Sequence, residues 1–266
     1  MSDFVFQPEV ARRLRSRQKV CAAWAQMGCS ISAEIFAEAG FDMLVIDAEH
    51  SPTTLPGIVS LLQAIKGTGC FPMVRAPWND PVSIKQLLDC GAAGIHVPYV
   101  STREEAELAV RCCKYPPQGI RGIAGSQRAV GYGAEKADYY ARANREVLVM
   151  VAIETEEGVR NIREIAAVDG LDGIFIGPAD LSASMGYLDN PAAPAVQAAI
   201  RTVEQAVLSS DKFLGTVAAG MGDAAAKYDR GYSLLYLLSD TTCLSSAAAA
   251  SVSEFHRYLD KEPISF

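Results

Sequence analysis

Nowhere in the 266 residues does an apolar run reach the roughly 18 residues that a membrane span needs. The opening segment, MSDFVFQPEVARRLRSRQ, lacks the apolar core of a secretory signal. Seven cysteines are present, an odd number, scattered and without a CxxC pair, and the adjacent Cys112 and Cys113 cannot easily bridge each other in a helix. A disulfide framework is therefore not expected; reduced thiols in a cytoplasmic protein are. Basic charge is also short, 24 Lys and Arg against 31 Asp and Glu, giving a net charge of −7. Phosphate contacts need a basic face, so nucleic-acid binding is disfavoured as the main activity. The one basic run, RRLRSRQK from Arg12 to Lys19, reads as a solvated N-terminal helix face, with an anion or partner contact as the alternative.

What the chain has in quantity is apolar residue, 50% of the whole, with a mean hydropathy of +0.12. This length and composition suit one α/β domain over residues 1–266. Eight near-continuous apolar runs stand out: VCAAW (20–24), MLVIDA (43–48), FPMVRA (71–76), GIHVPY (94–99), VLVMVAIE (147–154), GIFIGP (173–178), FLGTVA (213–218) and SLLYLL (233–238). Such runs are the mark of parallel strands buried on both faces. Helix-period segments lie between them. DPVSIKQLLDCG ends on Gly91, a C-cap residue; STREEAELAVRCCK opens on a capping-box pattern at Ser101 or Thr102; TEEGVRNIREIAAV does so at Thr155. Eight βα units predict a (β/α)8 TIM barrel, with an open doubly wound sheet as the alternative. One connection, YPPQGIRGIAGSQRAVGYG (115–133), is long enough to be a lid or a partner-contacting loop. The last helix, AAAASVSEFHRYLDK, has a small, weakly anchored face that packs on its own barrel or reaches a neighbour.

Chemistry in such a barrel sits at the C-terminal ends of the strands. Asp47, Glu49 and His50 end the second strand, Arg75 the third, Glu154 the fifth, and Asp180 opens the helix after the sixth. Glu154 and Asp180 are one βα unit apart, and two carboxylates without Cys or His suit a hard divalent ion such as Mg2+ or Mn2+. From spacing alone Glu154 could equally cap or salt-bridge the next helix, and Asp180 could be its N-cap. The turn Gly177, Pro178, Ala179 and Asp180 brings free backbone N–H groups toward the active face, a place for a substrate carboxylate or simply a turn. A buried Arg75 can steady a developing oxyanion, or it is a salt bridge to Asp47 or Glu49. His50, oriented by Asp47 or Glu49, suits general acid/base work. His96 reads as barrel packing and His256 as surface or interface. Together these residues suggest chemistry α to a carbonyl through an enolate.

VIDAEHSP, MVRAPWNDPVSIKQLLDCGAAGIHVPYV, YPPQGIRGIAGSQRA, VAIETEEGVRNI and DGIFIGPADLSASMGY, in this order over about residues 20–245, resemble the HpcH/HpaI aldolase family of metal-dependent pyruvate aldolases. The resemblance implies a barrel with a C-terminal helix swapped between subunits, assembled as a hexamer from dimers. It implies cleavage or formation of 4-hydroxy-2-oxo acids, giving pyruvate or a related 2-oxo acid such as hydroxypyruvate plus an aldehyde, with Mg2+, Mn2+ or Co2+. It makes Glu154 and Asp180 the metal ligands, Arg75 the enolate's partner and His50 with Asp47 the acid/base dyad. Asp89 becomes an acid offered across the subunit interface, and the turn from Gly177 to Asp180 the carboxylate site. The GSQRAVGYG segment resembles the sugar-acid branch of the family and, by the resemblance, borders the aldehyde pocket. Within the same class, an acyl-CoA lyase of the citrate lyase β type is the alternative; outside it, a non-catalytic barrel that binds a 2-oxo acid.

Overall fold

The computed structural model describes residues 5–259. Its strands are β1 (Val20–Ala25), β2 (Met43–Asp47), β3 (Phe71–Arg75), β4 (Gly94–Val97), β5 (Leu148–Ile153), β6 (Gly173–Ile176), β7 (Phe213–Val217) and β8 (Leu234–Ser239). All eight fall on the apolar runs. They pair in parallel in chain order, and β8 closes on β1, which excludes the open sheet. The first helices are α1 (Pro8–Arg15), α2 (Ser30–Glu38), α3 (Leu55–Ala64), α4 (Pro81–Cys90), α5 (Arg103–Cys113) and α6 (Lys136–Glu146). They are followed by α7 (Glu156–Arg160), α8 (Ile162–Ala166), α9 (Pro178–Ser184), α10 (Pro194–Leu208), α11 (Met221–Asp229) and α12 (Asp240–Leu259).

Local chemistry explains the helix ends. Asp80 accepts the Ser83 N–H at 2.8 Å, Pro81 supplies a preset φ, and Gly91 closes α4 at φ 102°. Thr102 and Glu105 form the full capping box of α5. Thr155 caps α7, but the helix foreseen beyond it breaks at Asn161 into α7 and α8.

The structure narrows two expectations that the sequence left open. The long connection after α5 carries a short 3-10 turn, Arg128–Gly133, and then α6, which the sequence pattern did not announce. Because α5 runs back from the mouth, this connection starts and ends at the N-terminal end of the strands. Its partners there are Asp89 and Tyr139 for Arg121, and the Cys90 and Leu62 carbonyls for Arg128. Among the described contacts it does not reach the mouth of its own barrel. The last helix buries Asp240 and leaves every residue from Thr241 through Leu259 exposed, Leu244, Val252, Phe255 and Tyr258 included. Asp260 and Lys261, assigned to it above, lie outside the described residues, as do 1–4 and 262–266 of the expected domain.

Register positions the site. Asp47 pairs with Arg75 across β2 and β3, and Arg75 with His96 across β3 and β4. Ile153 pairs with Ile176, so Glu154 and Gly177 emerge side by side one residue later. Beneath them the barrel is filled by aromatic rings. Tyr236 packs edge-on against Trp24 at 4.6 Å, and Phe175 lies 4.7 Å from Tyr236 and 4.9 Å from His96.

Candidate active site

Asp47 is fully buried at the end of β2 and grips Arg75 with both oxygens, accepting from Nε at 3.0 Å and Nη2 at 2.7 Å. The same carboxylate accepts the Glu49 and His50 backbone N–H groups at 3.0 and 3.3 Å and Gln26 Nε2 at 3.2 Å. Burial opposes its ionisation, yet the Arg75 guanidinium wins and holds its pKa below the usual carboxylate range. Arg75 also lies 4.2 Å over the Trp24 ring and has Glu49 Oε2 at 3.2 Å from Nη1. That Glu49 oxygen is buried in an ion contact without an aligned hydrogen bond. Burial, against the pull of Arg75, raises the Glu49 pKa. Arg75 is therefore paired with both acids named as its alternatives.

The His50 ring stands differently from the dyad expectation. Its side chain is 57% exposed, and Nε2 lies 3.7 Å from Glu49 Oε2. Asp47 reaches this residue through its backbone N–H only. The structure thus brings His50 to the mouth with Glu49, while the Asp47 oxygens are committed to Arg75, Gln26 and the turn.

On the next wall stand Glu154 and Asp180. Neither caps a helix: Thr155 caps α7, and Gly177 is the N-cap of α9, which puts Asp180 in its first turn. Glu154 Oε2 accepts the Tyr99 N–H at 2.8 Å, and Asp180 Oδ1 accepts the Tyr99 hydroxyl at 3.2 Å. Tyr99, just past β4, was missed by sequence reasoning; its phenol pKa is pushed up to about 12 by burial and by Asp180. Glu154 packs so closely on Gly177 that a Cβ there would lie 2.5 Å from Oε1. Burial, with Asp180 and Glu49 as repelling neighbours, raises Glu154 to about 7 despite the Tyr99 N–H. Of the turn from Gly177 to Asp180, only Ala179 and Asp180 offer the free N–H groups expected there. Proline has none, and Gly177 N donates to the Ile153 carbonyl at 3.2 Å.

Among the described residues no three His, Cys, Asp or Glu side chains converge to hold a metal ion by themselves. The pair is nonetheless a fitting donor set for a hard divalent cation, which takes one or two protein carboxylates and fills its other positions with water or substrate oxygens. Burial first, and the acids Asp180 and Glu49 second, raise the Glu154 pKa, and a cation beside it would favour the ionised carboxylate.

His96 is fully buried in the barrel, with Nδ1 3.3 Å from the Tyr236 hydroxyl and Nε2 unpartnered. Burial and the nearby Arg75 drive its pKa well down, so it is neutral packing. His256 is exposed on α12. Asp89 lies in the last turn of α4, at the far end of the barrel from the mouth, 2.9 Å from Arg121. It does not join the other site residues within one subunit.

Comparison with known proteins gives this arrangement a family. The model of the HpcH/HpaI aldolase/citrate lyase family matches residues 22–247. A 5-keto-4-deoxy-D-glucarate aldolase of Escherichia coli O9:H4 (strain HS) is 39% identical over 257 residues, covering 97% of this chain and 100% of the relative. The crystal structure of an HpcH/HpaI aldolase/citrate lyase family protein from Burkholderia cenocepacia J2315 superposes with a TM-score of 0.89 at 34% identity, covering 94% of this chain and 99% of that one. The citrate synthase SbnG superposes with a TM-score of 0.85 at 28% identity, covering 94% and 98%. With its fold, its motifs and nearly its whole length matched, the chain belongs to the HpcH/HpaI aldolase/citrate lyase family and is an aldolase, a carbon–carbon lyase.

Proposed function

We propose that the whole chain, 1–266, works as one barrel that cleaves or forms 4-hydroxy-2-oxo acids of the sugar-acid type. The compound in the relative's name, numbered from its keto-acid end, is a six-carbon diacid with a 2-oxo group and hydroxyls at C4 and C5. Breaking its C3–C4 bond leaves pyruvate and 2-hydroxy-3-oxopropanoate. The observation that carries the reading is the pairing, at one mouth, of a buried guanidinium with a close carboxylate pair: Arg75 fixed by Asp47, and Glu154 beside Asp180.

A divalent cation held by Glu154 and Asp180 (Mg2+, Mn2+ or Co2+) would supply Lewis acidity for the oxygens of the 2-oxo acid. The first-turn N–H groups of Ala179 and Asp180, set by Gly177 and Pro178, bind the substrate carboxylate. Arg75 donates to the oxygen that becomes negative as the enolate forms, and Asp47 and the Trp24 face keep the guanidinium still. His50, at the mouth beside Glu49, takes the proton from the C4 hydroxyl in cleavage and returns it in condensation. Placed away from their own mouth, Asp89 and the 115–133 connection would reach an aldehyde pocket only on a neighbouring copy of a hexamer, and the exposed apolar residues of α12 support its swap between subunits. The chain is read as cytoplasmic; no helix among the described residues is long and apolar enough to cross a membrane.

Four carboxylates face one guanidinium in this mouth, an environment that supports a small chelating 2-oxo acid over a polyanionic acyl-CoA ester. The test is α-proton exchange of pyruvate and hydroxypyruvate into D2O with added Mn2+ or Mg2+, followed by a retro-aldol assay on the sugar acid. The reading expects exchange that EDTA abolishes and Mn2+ restores. Full turnover after EDTA stripping would remove the cation, normal turnover by Arg75→Ala the enolate role, and binding without exchange would leave a non-catalytic barrel.

A further inference from the structure

We propose that Tyr99 is a positioning residue that sets both carboxylates of the cation site, its backbone N–H holding Glu154 and its hydroxyl holding Asp180. The inference rests on reading Glu154 and Asp180 as the cation's ligands. Tyr99 is one of four non-glycine residues at positive φ among the described residues, at 55°, a region that a bulky L-residue avoids unless its surroundings impose it. What imposes it is visible. The N–H donates to Glu154 Oε2 at 2.8 Å, the hydroxyl donates to Asp180 Oδ1 at 3.2 Å, and the ring stacks on Trp78 at 5.7 Å with 29° between planes. One residue after β4 thereby bridges the end of β5 to the first turn of α9.

The consequence is a division of labour among oxygens. Tyr99 occupies one oxygen of each carboxylate, leaving Glu154 Oε1 and Asp180 Oδ2 for a cation. Glu154 Oε1 is placed from the other side by the absence of a Cβ on Gly177. Carboxylates oriented in this way lose less freedom on binding, and removal of such outer partners costs metal sites roughly 10- to 100-fold in affinity. The hydroxyl's part can be separated from the ring's, because phenylalanine keeps the stack and the backbone N–H and loses only the donor to Asp180.

The test is calorimetric titration of EDTA-stripped, full-length protein with Mn2+, for the unaltered chain, Tyr99→Phe, Tyr99→Met and Glu154→Gln, with the Tm of each stripped protein measured alongside. The expected result is Mn2+ affinity weakened about 10-fold or more in both hydroxyl-free variants at unchanged stripped Tm, and lost in Glu154→Gln. If the unaltered chain does not bind Mn2+, or Glu154→Gln binds as it does, the ligand reading fails and this inference with it. If Glu154→Gln loses binding while Tyr99→Phe or Tyr99→Met stays within twofold, the ligand reading stands and the Tyr99 inference is overturned. An affinity loss matched by a lower stripped Tm in both variants would mark a structural tyrosine and overturn it too.

Discussion

Replacing Glu154 with glutamine should make the metal-stripped protein more stable above neutral pH while ending its response to divalent cations. Glu154 is buried among acids, and its pKa rises from 4.5 to about 7. An acid whose folded pKa is raised adds stability below its unfolded pKa and loses it as pH climbs through the folded value. Below pH 4.5 the side chain is protonated in both states and should behave much like glutamine. Between 4.5 and 7 the unfolded chain releases the proton and the folded one keeps it, so the native state falls behind. Above 7 the deficit is constant, and the difference in pKa converts to about 3 kcal/mol. Glutamine carries no such penalty, and its side-chain oxygen can still accept the Tyr99 N–H. The stripped Glu154→Gln protein should therefore melt roughly 6 to 12 °C above the stripped parent at pH 8, with the gap closing toward pH 5. Mn2+ at about 1,000 times its Kd should reverse the order, since it then adds about 4.1 kcal/mol to the parent alone, more than the deficit. The assay is thermal melting across pH 5 to 8, with EDTA and with Mn2+. A gap that does not change with pH, or a stripped parent that is the more stable at pH 8, would refute the reasoning.

Further outcomes follow from the same geometry. Gly177→Ala would put a Cβ 2.6 Å from Glu154 Cγ, so Mn2+ affinity should drop by about 10-fold or more in titration. Arg75→Lys keeps the charge but loses the two-pronged bond to Asp47, and pyruvate exchange should slow by roughly 100-fold or more; an unchanged rate would count against the fixed guanidinium. Asp47→Asn should slow the same exchange as strongly while the His50 ring stays beside Glu49 in a crystal structure of the variant. Gly173→Ala would bring a Cβ within 2.2 Å of the Phe213 ring inside the barrel, and melting should show about 1–3 kcal/mol of destabilisation without change in Mn2+ affinity.

The barrel was legible because its strands are buried on both faces, which turns each into an apolar run bounded by polar residues. The capping signals at Gly91, Thr102 and Thr155 were legible for a similar reason, being local chemistry. Helix α6 was not: KADYYARANRE buries only Tyr139 and Ala143, too few to show a period. Glu154, Asp180 and Arg75 could be placed at the mouth by counting strand ends. Tyr99 could not, because its role comes from a backbone turn that a strand-end Pro-Tyr does not advertise. One topological step separates the two readings of the 115–133 connection, a lid over its own barrel and a partner-contacting loop. The connection follows a helix rather than a strand, and in a barrel that puts it at the end opposite the chemistry.

Under the proposed function, Asp47 is not free to pair with the His50 ring. A carboxylate offers about four lone-pair positions, and Asp47 already accepts from Arg75 Nε and Nη2, Gln26 Nε2 and the N–H groups of Glu49 and His50. A bond to the His50 ring would have to displace one of these, and the strongest is the buried ion pair whose loss would free the guanidinium. Glu49 is in the reverse position: one buried oxygen lies near both Arg75 and His50 and makes no aligned hydrogen bond. Its raised pKa expresses that same shortage of partners. The division that best fits the geometry therefore gives Asp47 to Arg75 and leaves Glu49 as the carboxylate that can receive and steady the His50 ring when it carries the proton.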